Sequence, residues 1–464
     1  MPTRLAIVLS HPVQYYSPWF RHLAARPELE LKVFYLWDFG VKETRDRAFG
    51  NSFVWDIPLL DGYESEFVPN RSQDPGTHHF RGLDNPRAVE AVAAWKPDAV
   101  LLFGYAYQTH LRLILSRRLA RVPFYFRGDS HDLCRAAGWK SQASRLLRSL
   151  IFRRFKGFFA VGQANAGYFR NCGVSSDRIH HVPHCVDNGR FQAAAAQAEI
   201  DAAEWKRELD IPTGATVVLF AGKFEDVKRP LDLLTAFLGR EQNSGRALAN
   251  LENPSEALAG MAEGKAGDRG QGAEGERDER SEVKGQRSEI RDTNAEVGAS
   301  DLRLLTSVLR PPPAVLLFVG SGPLESALRE AAGQELGRTV FFAPFQNQSA
   351  MPRVYAAGDL LVLSSMSETW GLVVNEAMNL ARPAIVSSHV GCGPDLILPG
   401  ETGWIFPAGD VDALKQTLAE ALSDPARLKR MGECARTHIA NYSYDRATQA
   451  VVEVLRGYAP VSPM

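Results

Sequence analysis

Residues 367–403 read SETWGLVVNEAMNLARPAIVSSHVGCGPDLILPGETG, and this stretch decides how the rest of the chain is interpreted. The segment LVVNEAMNLA predicts a short helix that ends at Arg382, because a residue before proline is displaced from the α region. The run AIVSS that follows predicts a buried strand. Glu368 therefore lies on the loop before the helix, and Glu376 lies inside the helix.

A loop and helix N-terminus of this kind can bind a phosphate. The first amide groups of a helix are unpaired and carry the positive end of the helix dipole, and Gly371 lets a ligand approach the backbone closely. A nucleotide sugar, with hydroxyls at both ends and phosphate between them, fits two carboxylates and this helix end. The spacing alone is equally compatible with a surface helix that carries two solvated glutamates.

Composition and charge exclude several classes of protein. The 464 residues are 45% hydrophobic and 23% charged, with a net charge of −1, which is typical of a globular chain of two or three domains that does not bind nucleic acid. No apolar run approaches the roughly 20 residues of a membrane span. The cysteines are odd in number and lack metal or redox spacing, which predicts a reducing, cytoplasmic location: Cys134, Cys172, Cys185, Cys392 and Cys434.

Apolar runs alternate with helical patterns in two series, which predicts two parallel α/β domains. The first domain, 1–185, has predicted strands at 5–9, 31–36, 53–57, 66–68, 99–103, 124–127, 157–162 and 179–182, and a helix at 110–120. The second domain, 211–440, has predicted strands at 216–221, 314–319, 340–343, 360–363 and 384–388, and a helix at 411–422 that Asp410 can cap. We predict a linker over 186–210 and a C-terminal helix, within 441–464, that returns to the first domain.

Residues 241–300 interrupt the second series. They contain no aromatic residue, 13 acidic and 8 basic residues, and 9 glycines. Such a segment cannot bury enough apolar surface to offset the entropy of ordering. We predict a disordered insertion, more consistent with a tolerated surface insertion than with a functional tether.

Two glycine-containing turns follow predicted strands of the second domain. Gly222 and Lys223 follow the strand TVVLFA, and Lys228 precedes a helix, so that two cations could neutralise a diphosphate there. Gly322 belongs to the turn GSGP after the strand AVLLFV, although this motif is weak by itself. A solvated basic loop would have the same sequence.

Two further groups of residues could carry chemistry. The segment HHVPHC contains His180, His181, His184 and Cys185, but strand neighbours point to opposite faces and no second ligand pair follows, so we predict no metal site. Residues 141–156, SQASRLLRSLIFRRFK, form a basic amphipathic pattern in which Leu147, Ile151 and Phe155 recur every fourth residue. Such a helix could contact an anionic membrane surface at the inner face of the membrane, or simply pack its apolar face inward.

Together, six segments resemble the retaining glycosyltransferases of family 4, which have the GT-B fold of two Rossmann-like domains facing across a cleft. The resemblance covers most of 180–425 outside the insertion. The segments are SETWGLVVNEAMNLARPAIVS, AGKFEDVKRPLDLLTAF, FVGSGPLESAL, YAAGDLLVLSS, VGCGPDLILPGETGWIFPAGD and HVPHCVDNGRF.

The resemblance implies a role for each residue of the motifs. Glu376 would bind the ribose hydroxyls of a nucleoside-diphosphate sugar, and Glu368 would face the donor sugar. Lys223 and Lys228 would bind the diphosphate and stabilise the leaving group. The amides of Gly371, Leu372 and Val373 and the turns that contain Gly222 and Gly322 would contribute to donor binding. The reaction would retain anomeric configuration and need neither metal nor cofactor. The acceptor would be a sugar or a lipid-linked molecule.

The resemblance is looser in the first domain. His131, in RGDSHD, resembles a histidine that contacts the donor sugar. His11 follows the first strand, in SHPVQYY, where the family has a glycine-rich acceptor loop, so that its role in acceptor binding is a weaker expectation. Asp395 replaces a usual glutamate. A GT-B epimerase or phosphorylase, and a nucleotide-sugar-binding protein without catalysis, are the alternatives.

Overall fold

The computed structural model of the chain describes residues 1–41, 44–45, 52–134, 139–240 and 313–457, and only the backbone at 44–45, 52–53 and 139–144. The predicted insertion at 241–300 lies outside the described residues, as do residues 458–464. Among the described residues, no helix combines the length and the apolar character that crossing a membrane requires.

Seven parallel strands form the first sheet, in the order β5-β2-β1-β6-β7-β8-β9. A short antiparallel pair, β3 and β4, stands apart from it. The strands are β1 (Thr3–Leu9), β2 (Leu29–Tyr35), β3 (Thr44–Arg45), β4 (Ser52–Phe53), β5 (Glu64–Phe67), β6 (Ala99–Phe103), β7 (Phe124–Gly128), β8 (Phe155–Ala160) and β9 (Ile179–His181).

The helices of this half connect successive parallel strands, as the crossovers of a parallel sheet require. They are α1 (Ser17–Ala24), α2 (Ala88–Ala94), α3 (Gln108–Ile114), α4 (Trp139–Phe152) and α5 (Gln163–Asn171). A long helix, α6 (Asn188–Glu208), then leads into the second half, and the Asp187 side chain caps it by accepting from the amide of Arg190 at 3.0 Å.

Six parallel strands form the second sheet, in the order β12-β11-β10-β13-β14-β15. They are β10 (Thr216–Ala221), β11 (Ala314–Val319), β12 (Val340–Ala343), β13 (Leu360–Leu363), β14 (Ala384–Ser387) and β15 (Gly403–Phe406). The helices of this half are α7 (230–240), α8 (Glu325–Ala332), α9 (Met351–Ala357), α10 (Leu372–Asn379), α11 (Gly393–Leu396), α12 (Val411–Leu422) and α13 (Pro425–Ile439).

The central strands are buried along their whole length, which explains their continuous apolar sequence. Every residue of β6 and β10 is buried, because helices cover both faces of a parallel sheet. These two sheets confirm the α/β fold class predicted from the sequence.

The last helix, α14 (Tyr444–Leu455), lies against the first sheet although it follows the second in sequence. Its side chains Tyr444, Val451 and Val452 share an apolar core with Leu5 and Trp19. The Tyr444 hydroxyl also donates to the main-chain oxygen of Tyr15 at 2.9 Å. The C-terminal helix therefore fixes the loop that follows β1.

Two elements differ from the sequence predictions. The predicted strand 53–57 is wrong beyond Phe53, because its polar groups bond to the second half instead of a sheet: Val54 accepts from the Asn347 amide at 2.8 Å. The predicted helix 110–120 is α3, which ends at Ile114; Leu115 is exposed, so the apolar face does not continue.

The cap of α12 gives a direct test of the sequence reasoning. The Asp410 carboxylate accepts from the amide of Ala413 at 2.9 Å, whereas Asp412 is only an acidic residue of the first turn. We expect Asp410→Ala to lower the free energy of unfolding by about 1 kcal/mol in urea denaturation, and Asp412→Ala to lower it by less than about 0.5 kcal/mol. Equal losses for the two variants would show that the cap does not stabilise the helix.

Candidate active site

A cavity of about 310 Å³ lies between the two halves, at the carboxyl ends of both sheets. Gln14, Tyr15 and Trp55 line it from the first half. Gly222, Lys223 and Glu376 line it from the second half, together with Gly320, Val373 and Tyr355 among others. Ligands of open α/β sheets bind at this edge, so the position agrees with a ligand site.

The carboxyl group of Glu376 is the most unusual group of the cavity. It is fully buried, and its Oε2 accepts from the Tyr355 hydroxyl at 2.5 Å. Its Oε1 is buried and has no hydrogen-bond partner among the residues that the structure describes. Burial raises the pKa of Glu376 to about 7, and the Tyr355 hydrogen bond, the charge of Arg190 and the nearby Tyr15 hydroxyl only partly offset this effect. An unpaired buried acceptor is costly, so a ligand that donates hydroxyls would relieve it.

Tyr15, a residue of the first half, lies close to the carboxyl group of Glu376. Burial, followed by the charge of Glu376, raises the pKa of Tyr15 well above its ordinary value, and the charge of Glu368 adds to the effect. The phenol is therefore close enough to both carboxylates to sense their charge. The sequence predicted neither Tyr15 nor its role.

The amino end of α10 faces the same cavity through Val373. Gly371 precedes the helix in a left-handed conformation, with φ of +100°, and a Cβ there would lie 2.9 Å from Leu363. No side chain caps this helix. Its first amides, those of Leu372 and Val373, thus have the orientation and the dipole that an anion requires.

Two loops of the second sheet meet under the cavity. Gly222 and Lys223 follow β10, and Gly320 follows β11. A Cβ on Gly320 would lie 2.0 Å from the Gly222 oxygen, so only glycine permits this contact. Gly322, which the sequence predicted as a binding residue, does not line the cavity; it packs against the backbone of Phe224, where a Cβ would lie 2.7 Å from the Phe224 oxygen.

Lys228, Glu368 and His131 form a second group. The Lys228 ammonium is paired with the Glu368 carboxylate. The His131 Nδ1 accepts from the amide of Leu133 at 3.2 Å, and its Nε2 lies 2.7 Å from the main-chain oxygen of Glu368. Since Nδ1 accepts, the proton is on Nε2, which donates to that oxygen. His131 therefore links the first half to the loop that carries Glu368.

The remaining histidines predicted or weighed from the sequence lie elsewhere. His11 does not line the cavity; its ring contacts Trp37 and Phe39 edge-on, and burial lowers its pKa to about 4. His184 is buried, stacks on Tyr16 at 5.5 Å, and has a lowered pKa because of burial and the nearby charge of Arg127.

Asp395, which stands where the family usually has a glutamate, contacts the first half. Its carboxylate accepts from the amide of Gln163, the first residue of α5, at 2.9 and 3.1 Å. Burial raises the pKa of Asp395 to about 6. A carboxylate at a helix amino end is stabilising, so Asp395 joins the second half to the first.

Sequence reasoning missed four residues besides Tyr15. Gln14 follows β1 in SHPVQYY, and Trp55 lies in a segment interpreted as a strand. Tyr355 is in α9, and Arg190, in the linker helix, donates to the Gln348 main-chain oxygen at 2.7 Å. Gln14 and Trp55 lie outside the motifs, whereas Tyr355 and Arg190 lie within the segments YAAGDLLVLSS and HVPHCVDNGRF, whose resemblance assigned them no role. Their position in the folded chain, rather than a residue pattern, could have indicated them.

Two family models match most of the described chain. Residues 61–185 match the glycosyl transferase 4-like domain, and residues 301–438 match the glycosyl transferases group 1 domain. Among solved structures, Anabaena Alr3699/HepE in complex with UDP and glucose has a TM-score of 0.62 at 15% identity, over 98% of this chain and 99% of that chain. At this identity the likeness shows the fold alone, which is GT-B.

Curated relatives align over a shorter part. Sulfoquinovosyl transferase SQD2 of Arabidopsis thaliana is 34% identical over 154 residues, 32% of this chain and 29% of that protein. A GDP-mannose-dependent monoacylated alpha-(1-6)-phosphatidylinositol monomannoside mannosyltransferase of Corynebacterium glutamicum is 31% identical over 153 residues, 31% of this chain and 39% of that protein. The chain thus matches about a third of the length of these relatives. With both domain models matched in order on a GT-B fold, the chain belongs to the group 1 glycosyl transferases.

Proposed function

We propose that this protein transfers a sugar from a nucleoside-diphosphate sugar to an acceptor, with retention of anomeric configuration and without a metal ion. The observation that carries the proposal is the unpaired, buried Oε1 of Glu376, in a cavity that also contains Lys223 and faces an uncapped helix end. A nucleoside diphosphate has ribose hydroxyls that donate and phosphates that accept. Its chemistry therefore complements both parts of the cavity.

The first part of the proposal concerns the ribose of the donor. Both ribose hydroxyls can donate to a carboxylate, and in the described part of the chain no group donates to the Glu376 Oε1. Bonding to the charged form favours ionisation, so the bound ribose would lower the pKa of Glu376 from its value of about 7. Ribose binding and ionisation of this carboxyl group would then be coupled.

The second part of the proposal concerns the diphosphate of the donor. Lys223 and the amides of Leu372 and Val373 supply positive charge where the cavity meets α10. Lys228 is paired with Glu368, and we propose that it binds the diphosphate as well. Cleavage of the glycosyl–phosphate bond develops negative charge on the phosphate oxygen, which fixed cations and amides stabilise without reorganisation. These groups would stabilise the negative charge that a divalent cation stabilises in other transferases.

Glu368 and His131 would position the sugar. His131 donates to the main-chain oxygen of Glu368, and Thr369 donates to Asp129 at 2.8 Å, so two contacts hold this loop against the first half. The loop can therefore present Glu368 toward a sugar in the cleft. Retention, by attack from the face that the phosphate leaves, rests on the resemblance of the motifs.

The acceptor would approach from the first half, near His11, and we propose that it is lipid-linked. The mannosyltransferase relative acts, by its name, on a phosphatidylinositol monomannoside. In this chain, α4 exposes Leu146, Leu147 and Leu150, which adjoin on one helix face, with 66%, 60% and 51% of their surface accessible. Of the three residues Leu147, Ile151 and Phe155, Ile151 packs against the core of the first half and Phe155, the first residue of β8, is buried, whereas Leu147 is exposed.

Basic residues surround these leucines. Arg145, Arg153 and Lys156 are exposed, whereas Arg154 donates to the Leu119 oxygen at 2.7 Å and so ties the helix end to the domain. Apolar side chains bordered by cations match an anionic lipid surface. The helix begins eight residues after His131, so a membrane-bound α4 would hold the cleft close to a lipid-linked acceptor.

Donor turnover tests the proposed activity. We expect one of UDP-, GDP-, ADP- or TDP-sugars to bind and to release its nucleoside diphosphate slowly without acceptor, at the same rate in excess EDTA. Glu376→Ala should weaken donor binding by about 1–3 kcal/mol, the cost of lost hydrogen bonds to a charged group, by calorimetry.

Glu401→Gln, an exposed carboxylate of the same half, is the matched control and should bind donor like the wild type. If no donor binds or is hydrolysed, the transferase proposal fails and a non-catalytic role replaces it. If EDTA abolishes release, the proposed metal independence is wrong.

Donor affinity should also depend on pH through Glu376. Its pKa of about 7 in the free protein means that most of the carboxyl group is protonated at pH 6 and ionised at pH 8. If the ionised form binds ribose, affinity for a nucleotide sugar should fall about tenfold from pH 8 to pH 6. A nucleotide sugar is the right probe, because its phosphates do not titrate in this range. Glu376→Gln should remove the dependence, and an equal slope in that variant would refute the assignment.

Vesicle flotation tests the membrane contact. We expect the protein to float with vesicles of phosphatidylcholine and phosphatidylglycerol, and less at high salt. Leu146→Gln with Leu150→Gln should weaken binding roughly tenfold or more, from the apolar area lost. Leu115→Gln, another exposed leucine, is the control. Equal binding to pure phosphatidylcholine, or no effect of the double substitution, would contradict the proposal.

A further inference from the structure

The loop that follows β5 is closed on itself. The Asn70 side chain connects the two ends of the loop. Its amide donates to the Gly82 oxygen at 2.9 Å, and its side-chain carbonyl accepts from the main-chain amides of Ser72 and Asp84 at 2.9 and 3.1 Å. The amide of Arg71 donates to the Asp84 oxygen at 2.8 Å. The residues between these ends are thus held on a fixed base.

Three potential metal ligands converge on this loop. The His78 Nε2 lies 2.9 Å from an oxygen of Asp74, and the His79 Nε2 lies 3.6 Å from the same oxygen. The three ligand atoms all lie within 4.8 Å of one another. The two rings meet edge-on, with centroids 4.6 Å apart.

These separations match the edges of a metal coordination polyhedron. With metal–nitrogen and metal–oxygen distances of about 2.0–2.1 Å, two ligand atoms on a tetrahedral zinc ion lie about 3.3 Å apart. The two measured separations bracket this value. We propose that Asp74, His78 and His79 form a binding site for a zinc-like divalent cation.

The chemistry of the ligands selects the class of metal. Two imidazoles and one carboxylate suit zinc and neighbouring transition metals, whereas magnesium and calcium require mainly oxygen ligands. The three side chains are 37–51% exposed, so solvent can supply the fourth ligand. Because the His79 Nε2 now lies 3.0 Å from the Asp74 main-chain oxygen, the metal would replace that hydrogen bond.

The backbone holds the ligands close together. A Cβ on Gly76 would lie 2.5 Å from the His78 Nδ1, and a Cβ on Gly82 would lie 2.1 Å from the Gly76 oxygen. The Tyr107 hydroxyl donates to the Thr77 oxygen at 2.9 Å. Little ordering remains for a metal to impose, which favours affinity.

The site is separate from the cavity that contains Glu376, because none of its residues lines that cavity. A metal here would clip the loop between β5 and α2 and stabilise it. The inference is independent of the proposed transferase activity, and zinc binding can be measured without any donor or acceptor.

Calorimetric titration with zinc chloride tests the site, on the full chain without an affinity tag and after chelator treatment. We expect one zinc ion per chain, and at least tenfold weaker binding in His78→Ala and in His79→Gln. Zinc should raise the melting temperature of the wild type and not of these variants. Cobalt, titrated in parallel, should give visible absorption that both variants lose.

Two controls separate this site from other ligands. His22→Ala removes another surface histidine paired with a carboxylate, Asp445 at 3.4 Å, and should leave zinc affinity unchanged. Cys134→Ser with Cys434→Ser removes two exposed thiols and should also leave it unchanged. Zinc affinity that survives both histidine substitutions, zinc affinity lost with the thiols, or no zinc binding at all would overturn the proposal.

Discussion

A buried carboxyl group is the constraint on which the active site depends. Glu376 lies inside α10, where all residues from Val374 to Asn379 are buried, and its side chain lines the cavity. One oxygen is bonded to Tyr355, and the other has no hydrogen-bond partner among the residues that the structure describes. Burial with incomplete bonding is costly in a folded protein, and such sites are commonly functional. The surrounding elements are arranged to keep this group both buried and accessible from the cavity.

The two halves meet around that carboxyl group through polar contacts. Asp395 binds the amino end of α5, His131 binds the loop of Glu368, and the second half contacts the segment at Val54. The C-terminal helix then holds the main chain of Tyr15 in place from the first half. Because these contacts are directional and most of the residues that make them do not line the cavity, they can define one arrangement of the two halves without filling the space that a ligand needs.

Sequence predicted the fold and the second-half motifs well, for physical reasons. Buried parallel strands such as β10 have continuous apolar sequences. Gly371 marks the start of α10, and Pro383 prevents the helix from continuing into β14. The first half was harder, because Tyr15 and Trp55 reach the cavity from loops and Arg190 acts on the charge of Glu376 from the linker helix. The neighbours of all three are fixed only by tertiary packing. The same limit applies to α4, where the periodicity left open which side chains pack inward: Ile151 and Phe152 pack against the core of the first half, and three leucines are exposed.

A crystal structure of the protein with a bound nucleoside diphosphate tests the central claim most directly. The account predicts ribose hydroxyls within hydrogen-bond distance of Glu376 Oε1, and phosphate oxygens beside Lys223 and the first amides of α10. A nucleotide bound elsewhere would contradict it. So would a nucleotide in the cavity whose ribose does not contact Glu376, because the unpaired carboxylate oxygen would then have no role in recognition.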